Sequence, residues 1–186
     1  EKVYWPYLPL IAVFSLGIIL SSVSGRAADS FGRASVLAYA TTMSIGGLLS
    51  NTNTERSNNG LGSLTINSQL NAAAQAKAND MAARNYWSHN TPDGNPPWIF
   101  VDAQGYAYEK LGENLAAGFD SEAATIAGWM ASPSHKANML DGAYSQVGFG
   151  FTNKDNYVAG NQPMTIVVAF YGKPQVIPGP IAAPAT

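Results

Sequence analysis

Toward the end of the sequence, Gln146-Val147-Gly148-Phe149-Gly150-Phe151-Thr152 alternates bulky apolar side chains with residues that have little or none. A period of two marks a strand with two unlike faces. One face carries Val147, Phe149 and Phe151; the glycines leave the other flat, where a second layer can approach closely. Residues 165–171 are apolar on both faces and predict a central strand. A polar loop over residues 153–163 joins the two, so the sequence predicts antiparallel neighbours.

The helices come first. Leu48, Leu49, Thr52 and Arg56 fit a short helix ended by Asn58-Asn59-Gly60. Asn67 or Ser68 caps a second, in which Leu70, Ala74, Ala78, Met81 and Ala82 recur at helical spacing. Its alanine-rich face admits a close neighbour, and its end near Asn85 puts His89 on the loop beyond. Thr91-Pro92-Asp93-Gly94 and Asn95-Pro96-Pro97 are turn chemistry. Trp98, Ile99, Phe100 and Val101 open a helix that stops before Gly105. Asp120 or Ser121 caps the next, with Ile126, Trp129 and Met130 as its buried stripe. Ser132-Pro133 starts a further short helix, with serine as the cap and proline in the first turn. His135 falls at its third position, where the helix dipole disfavours an imidazolium. Helices first and strands last predict an α+β layered domain.

Residues 4–23 are almost all apolar or aromatic, and no charge interrupts residues 3–25. The length suits one membrane span, with Trp5 and Tyr7 at an interface. Three readings stand in order: a membrane anchor, a signal peptide cleaved after Gly25, and a buried core helix. The shorter apolar stretch at 36–49 is broken by Thr41, Thr42, Ser44 and Gly46-Gly47 and reads as a lead-in. The expected organisation is a hydrophobic anchor or signal-anchor helix at 1–25, a lead-in at 26–46, a globular domain at 47–173 and a Pro-rich linker at 174–186. Glu1 in place of Met, and the linker, lead us to expect a segment of a longer chain.

Of 186 residues, 12% are charged, about half the usual share. The net charge is −2 and there is no basic run, which argues against nucleic-acid binding through phosphate contacts. Without cysteine, disulfides, thiol catalysis and thiolate metal ligands are excluded.

The two histidines both sit in dense polar motifs. His89 lies in Tyr86-Trp87-Ser88-His89-Asn90-Thr91, and His135 in Ser132-Pro133-Ser134-His135-Lys136-Ala137-Asn138. Between them runs Leu111-Gly112-Glu113-Asn114-Leu115. Two imidazoles and a carboxylate predict one site, a metal site or an acid/base cleft. A purely structural role stands beside this: each histidine bracing a loop, and Glu113 accepting backbone amides. Glu122 is explained by the helix dipole ahead of any role as a fourth group. Ser88, Ser134 and Ser145 lack a nucleophile elbow, so serine catalysis ranks low. Asn90, Asn114 and Asn138 are expected to shape the cleft. Tyr86, Trp87, Trp98, Trp129 and Tyr144 are expected mainly in the core, with one or two walling the cleft.

Taken in order, several motifs resemble the CAP superfamily of cysteine-rich secretory proteins, antigen 5 and pathogenesis-related 1 proteins. They are Glu55-Arg56 with Asn59-Gly60-Leu61, Leu70-Asn71-Ala72-Ala73-Ala74-Gln75-Ala76, Ser88-His89-Asn90, Gly112-Glu113-Asn114-Leu115, the segment from Trp129 through Ser132-Pro133-Ser134-His135 to Leu140, and Gln146-Val147-Gly148-Phe149-Gly150. The likeness is to the bacterial, cysteine-free branch and covers about residues 47–172. It implies a three-layer α-β-α sandwich, here expected with an antiparallel sheet. It also implies a cleft that in many members holds two histidines and two acidic residues and binds a divalent cation. His89 matches the first histidine and Glu113 the first acid. Ser132 stands where the second glutamate is expected, and Ala143 where the second histidine is. The bacterial branch places a histidine in Ser-Pro-x-His, here His135. The expected site, catalytic or metal-holding, is therefore His89, Glu113 and His135, with zinc or calcium as the metal.

The function expected first is a membrane-tethered, extracytoplasmic binding domain at the bacterial envelope, secreted if 1–25 is removed. Its ligand would be a small molecule, lipid, peptide or glycan, and it contacts no nucleic acid. The alternative is a metal-dependent hydrolase of peptide or cell-wall material, with Glu113 as ligand or general base.

Overall fold

A computed structural model describes residues 43–176. The apolar segment at 4–23 and most of the lead-in and linker lie outside the described residues. Among the described residues no helix is long and apolar enough to cross a membrane.

The chain order is α1 (Ile45–Asn58), β1 (Thr65–Ile66), α2 (Ser68–Arg84), α3 (Trp98–Asp102), β2 (Tyr108–Ala117), α4 (Glu122–Ala131), α5 (Pro133–Met139), β3 (Gln146–Tyr157) and β4 (Gln162–Pro174). The sheet order is β1-β3-β4-β2. β3 and β2 flank β4 antiparallel, as expected of a central strand, but β1 pairs with β3 in parallel, so the sheet is mixed rather than antiparallel. The two residues of β1 are too few to carry a readable period, so nothing in the sequence marks them. The β3–β4 connection is also shorter than the predicted loop: both strands run on through polar residues, leaving only residues 158–161 in the turn.

Alternation along β4 builds two cores. Met164, Ile166, Val168 and Phe170 pack with Leu70, Ala73, Ala74, Ala78 and Met81 of α2. Val167, Ala169 and Tyr171 pack with Leu48 of α1, Ile126 and Trp129 of α4 and Met139 of α5. The layers are therefore α-β-α. Gly148 and Gly150 face α2 so closely that a Cβ at 148 would lie 2.0 Å from the Leu70 carbonyl carbon, and one at 150 would lie 2.1 Å from the Gln75 nitrogen.

Caps fall where side chains supply them. Ser44 Oγ accepts from Gly47 N, Asn67 Oδ1 from Gln69 N and Leu70 N, and Ser121 Oγ from Ala124 N. Ser132 occupies the cap position of α5, but its side chain makes no capping bond; its Oγ lies 3.4 Å from Ser134 Oγ. In α4 the buried stripe is Thr125, Ile126 and Trp129, with Met130 half-buried. Asn85 ends α2 in the left-handed region (φ 51°) and turns the chain toward His89.

Candidate functional site

β2 is a strand that no sequence pattern predicts, because its stretch from Leu111 to Ala117 lacks alternation. It is an edge strand, and an edge leaves backbone carbonyls in need of donors. Side chains from the α4–α5 side supply them: Tyr144 Oη donates to Leu111 O, Asn138 Nδ2 to Glu113 O, and Trp129 Nε1 to Leu115 O, each at 2.9 Å. Through Trp129 of α4, Asn138 of α5 and Tyr144 beyond it, these bonds fix that layer against the strand that carries Glu113.

The pleat then separates neighbouring side chains. Asn114 turns to the α5 side, where its Nδ2 donates to His135 O at 3.0 Å and its Oδ1 accepts from Asn138 Nδ2 at 2.9 Å. Glu113 turns to the opposite side, where Oε2 meets His89 Nδ1 at 2.5 Å. The loop bearing His89 and the helix bearing His135 face each other across the edge. Between them opens a cleft of about 410 Å³, lined by His89, Glu113, His135, Asn138, Trp98 and Leu111 among others. All three residues expected in the site thus line one cleft. Trp98 forms part of its wall, whereas Trp87 stays 39% exposed outside the core. A second groove, about 480 Å³, runs along α1, and its described lining carries no titratable side chain.

The electrostatics are uneven. The Glu113 side chain is 2% exposed and that of His89 is 58% exposed. Burial pushes the Glu113 carboxyl above the usual carboxylate range, while His89 and Lys77 pull it back. Among the described residues, Glu113 Oε1 is buried without a hydrogen-bond partner. His135 is half-buried, and burial, then the charge of His89, holds its pKa below the ordinary 6.5. That direction matches the expected neutral imidazole, with burial as the leading cause.

His135 therefore binds fewer protons folded than unfolded, so its share of the stability is complete above 6.5 and is lost as pH falls below it. In His135→Gln, the stability measured by urea unfolding is expected to decline less between pH 7 and 5 than in the parent. Glu113 acts in the opposite sense in a window above 4.5, losing its contribution as pH rises.

The fit to a metal ion follows from the donors. Oε2 of Glu113 is engaged by His89, and among the described residues no group of three or more His, Asp or Glu side chains is arranged to hold an ion. The three residues share a cleft without forming a coordination shell for zinc or calcium. Glu122 lies elsewhere: its Oε1 accepts from Ser44 N and Oγ at the start of α1.

One contributor is absent from the residues the sequence singles out. Lys77 is fully buried on the apolar face of α2 and reaches the His89 loop. Its spacing, seven residues after Leu70 and four before Met81, places it on that face.

The family model described as the cysteine-rich secretory protein family, CAP, matches residues 49–171. The chain belongs to this family. A Bacillus subtilis relative, the uncharacterized protein YkwD, is 34% identical over 100 residues, which cover 54% of this chain and 39% of that protein. The chain thus spans well under half the length of that relative. An extracellular protein containing an SCP domain from Bacillus anthracis is similar in fold, with TM-score 0.61 and 23% identity, covering 69% of this chain and 40% of that one. An outer surface protein from Borrelia burgdorferi gives 0.60 and 21%, covering 69% and 90%. At these identities the solved structures establish the fold alone.

Proposed function

We propose that this CAP domain works outside the cytoplasm at the bacterial envelope, tethered through residues 4–23, and that its cleft binds a peptide or glycan fragment. The observation that carries the reading is the meeting of two imidazoles and one buried carboxylate around one cleft beside an aromatic wall. Apolar walls with a few convergent polar groups are the usual make-up of a ligand site. Solved proteins of the same fold described as extracellular or outer-surface support the location. Occupation by zinc or calcium would require the imidazoles to regroup around Glu113.

The test is a titration of the ¹⁵N-labelled protein with soluble cell-wall glycopeptide fragments, with zinc and calcium alone as separate probes. Amide shifts are expected at residues 89, 98 and 135. In Glu113→Gln the dissociation constant is expected to rise about tenfold, or about 1.4 kcal/mol. Shifts from no fragment at those positions would overturn the binding reading.

A second reading is favoured by the pairing of His89 Nδ1 with Glu113. In a hydrolase of peptide or cell-wall material, Glu113 would orient His89 and the other ring nitrogen would take a proton from attacking water. Release of cleavage products by the parent and not by Glu113→Gln distinguishes this reading from binding alone.

A further inference from the structure

The Lys77 ammonium donates to His89 O at 2.7 Å, Ser88 O at 3.1 Å and Tyr86 Oη at 3.1 Å. Those are all the donors an ammonium has. Tyr86 Oη donates in turn to Asp80 Oδ2 at 2.6 Å. The ammonium also lies 4.8 Å from the Tyr86 ring centre and 5.6 Å from that of Phe100.

A buried lysine is costly, and the close packing of α2 on the sheet is already served by alanine. What lysine adds is a three-point anchor on the loop that leaves α2. Tyr157 Oη holds that loop at Tyr86 O, and Thr91 closes its own turn with Asn95, but residues 88 and 89 lie between these points. The His89 ring is too exposed for packing to orient it, yet it meets a carboxylate that is almost wholly buried.

We propose that Lys77 is the positioning residue of the cleft: its bonds to the Ser88 and His89 carbonyls fix the backbone so that Nδ1 of His89 reaches Glu113 and Nε2 stays free for a ligand. The inference rests on His89 belonging to the working cleft. Its test uses no ligand, so its failure is separable from failure of the binding reading.

Ring ¹⁵N shifts of both histidines are measured in the parent and in Lys77→Met, alongside the core methyl signals of Val167 and Val168. Measured at alkaline pH, where the imidazoles are neutral, the expected result is a parent His89 with two clearly unlike ring nitrogens. In the variant these converge toward the averaged values of free imidazole, while His135 and the core methyls stay put. A destabilised variant whose folded form keeps the parent His89 signature would overturn the proposal and leave Lys77 a structural role alone. Should Lys77→Met not fold, the parent decides. Slowly exchanging ammonium protons with a through-bond coupling to the His89 carbonyl support the clamp, and a freely exchanging ammonium overturns it.

Discussion

Gly150→Ala is expected to lower stability by about 3 kcal/mol, with a fall in melting temperature on the order of 10 °C. The added Cβ would sit 2.1 Å from Gln75 N, 2.3 Å from the Ala74 carbonyl carbon and 2.4 Å from Gln75 Cα. All three are backbone atoms of α2, so no side chain can swing aside and the helix must lift from the sheet. That movement would open the core formed by Ala74, Ala78, Val168 and Phe170. It would also strain Gln75, whose Oε1 accepts from Phe151 N at 3.3 Å and whose Nε2 donates to Phe151 O at 3.0 Å. Gly46→Ala is the control: no described residue lies within 4 Å of the place its methyl would take, and it is helical, so it should be neutral or slightly stabilising. Thermal unfolding of the two variants beside the parent decides the point. Equal melting temperatures would mean that helix and sheet do not approach this closely.

Arg56→Met is expected to cost roughly 3 kcal/mol. Arg56 is 2% exposed, and its guanidinium donates to four carbonyls rather than to a carboxylate: Gly62 O and Met139 O at 2.8 Å, Asp141 O at 3.0 Å and Tyr144 O at 3.3 Å. Methionine fills much of the volume but leaves those oxygens short of donors, each at about 1–3 kcal/mol if none finds water. Removing the buried charge offsets part of the loss. Met139 is the last residue of α5, so the variant also frees the helix that carries His135. Faster hydrogen exchange is therefore expected at residues 135–144, ahead of the sheet. Arg56→Lys should recover only part of the stability, because an ammonium cannot bridge four carbonyls in a fork. A variant as stable as the parent in urea would contradict this role.

The two features differ in how readily the sequence discloses them. The Gly148/Gly150 alternation is a local pattern, and local patterns survive without knowledge of the partner. The same holds for the caps Asn67 and Ser121 and for the helical spacing of Leu70, Ala74, Ala78 and Met81. Arg56 can be placed on a helix, but its carbonyl partners lie as many as 88 positions away and no periodicity points to them. β2 is hidden because both its flanks are covered and its free edge is met by Trp129, Asn138 and Tyr144, so neither alternation nor polarity marks it. His89, Glu113 and His135 are legible as residue types in polar motifs. Their geometry is not, because the Glu113–His89 pairing depends on strand pleat and on Lys77.

If His89 and Glu113 act as one unit in the cleft, a double-mutant cycle on urea stability, with His89→Ala, Glu113→Ala and the double variant, tests it most directly. The exposure of His89 limits the coupling, which is expected at about 1 kcal/mol near pH 7. Losses that simply add, within about 0.3 kcal/mol, would contradict the pairing and with it the site built on it.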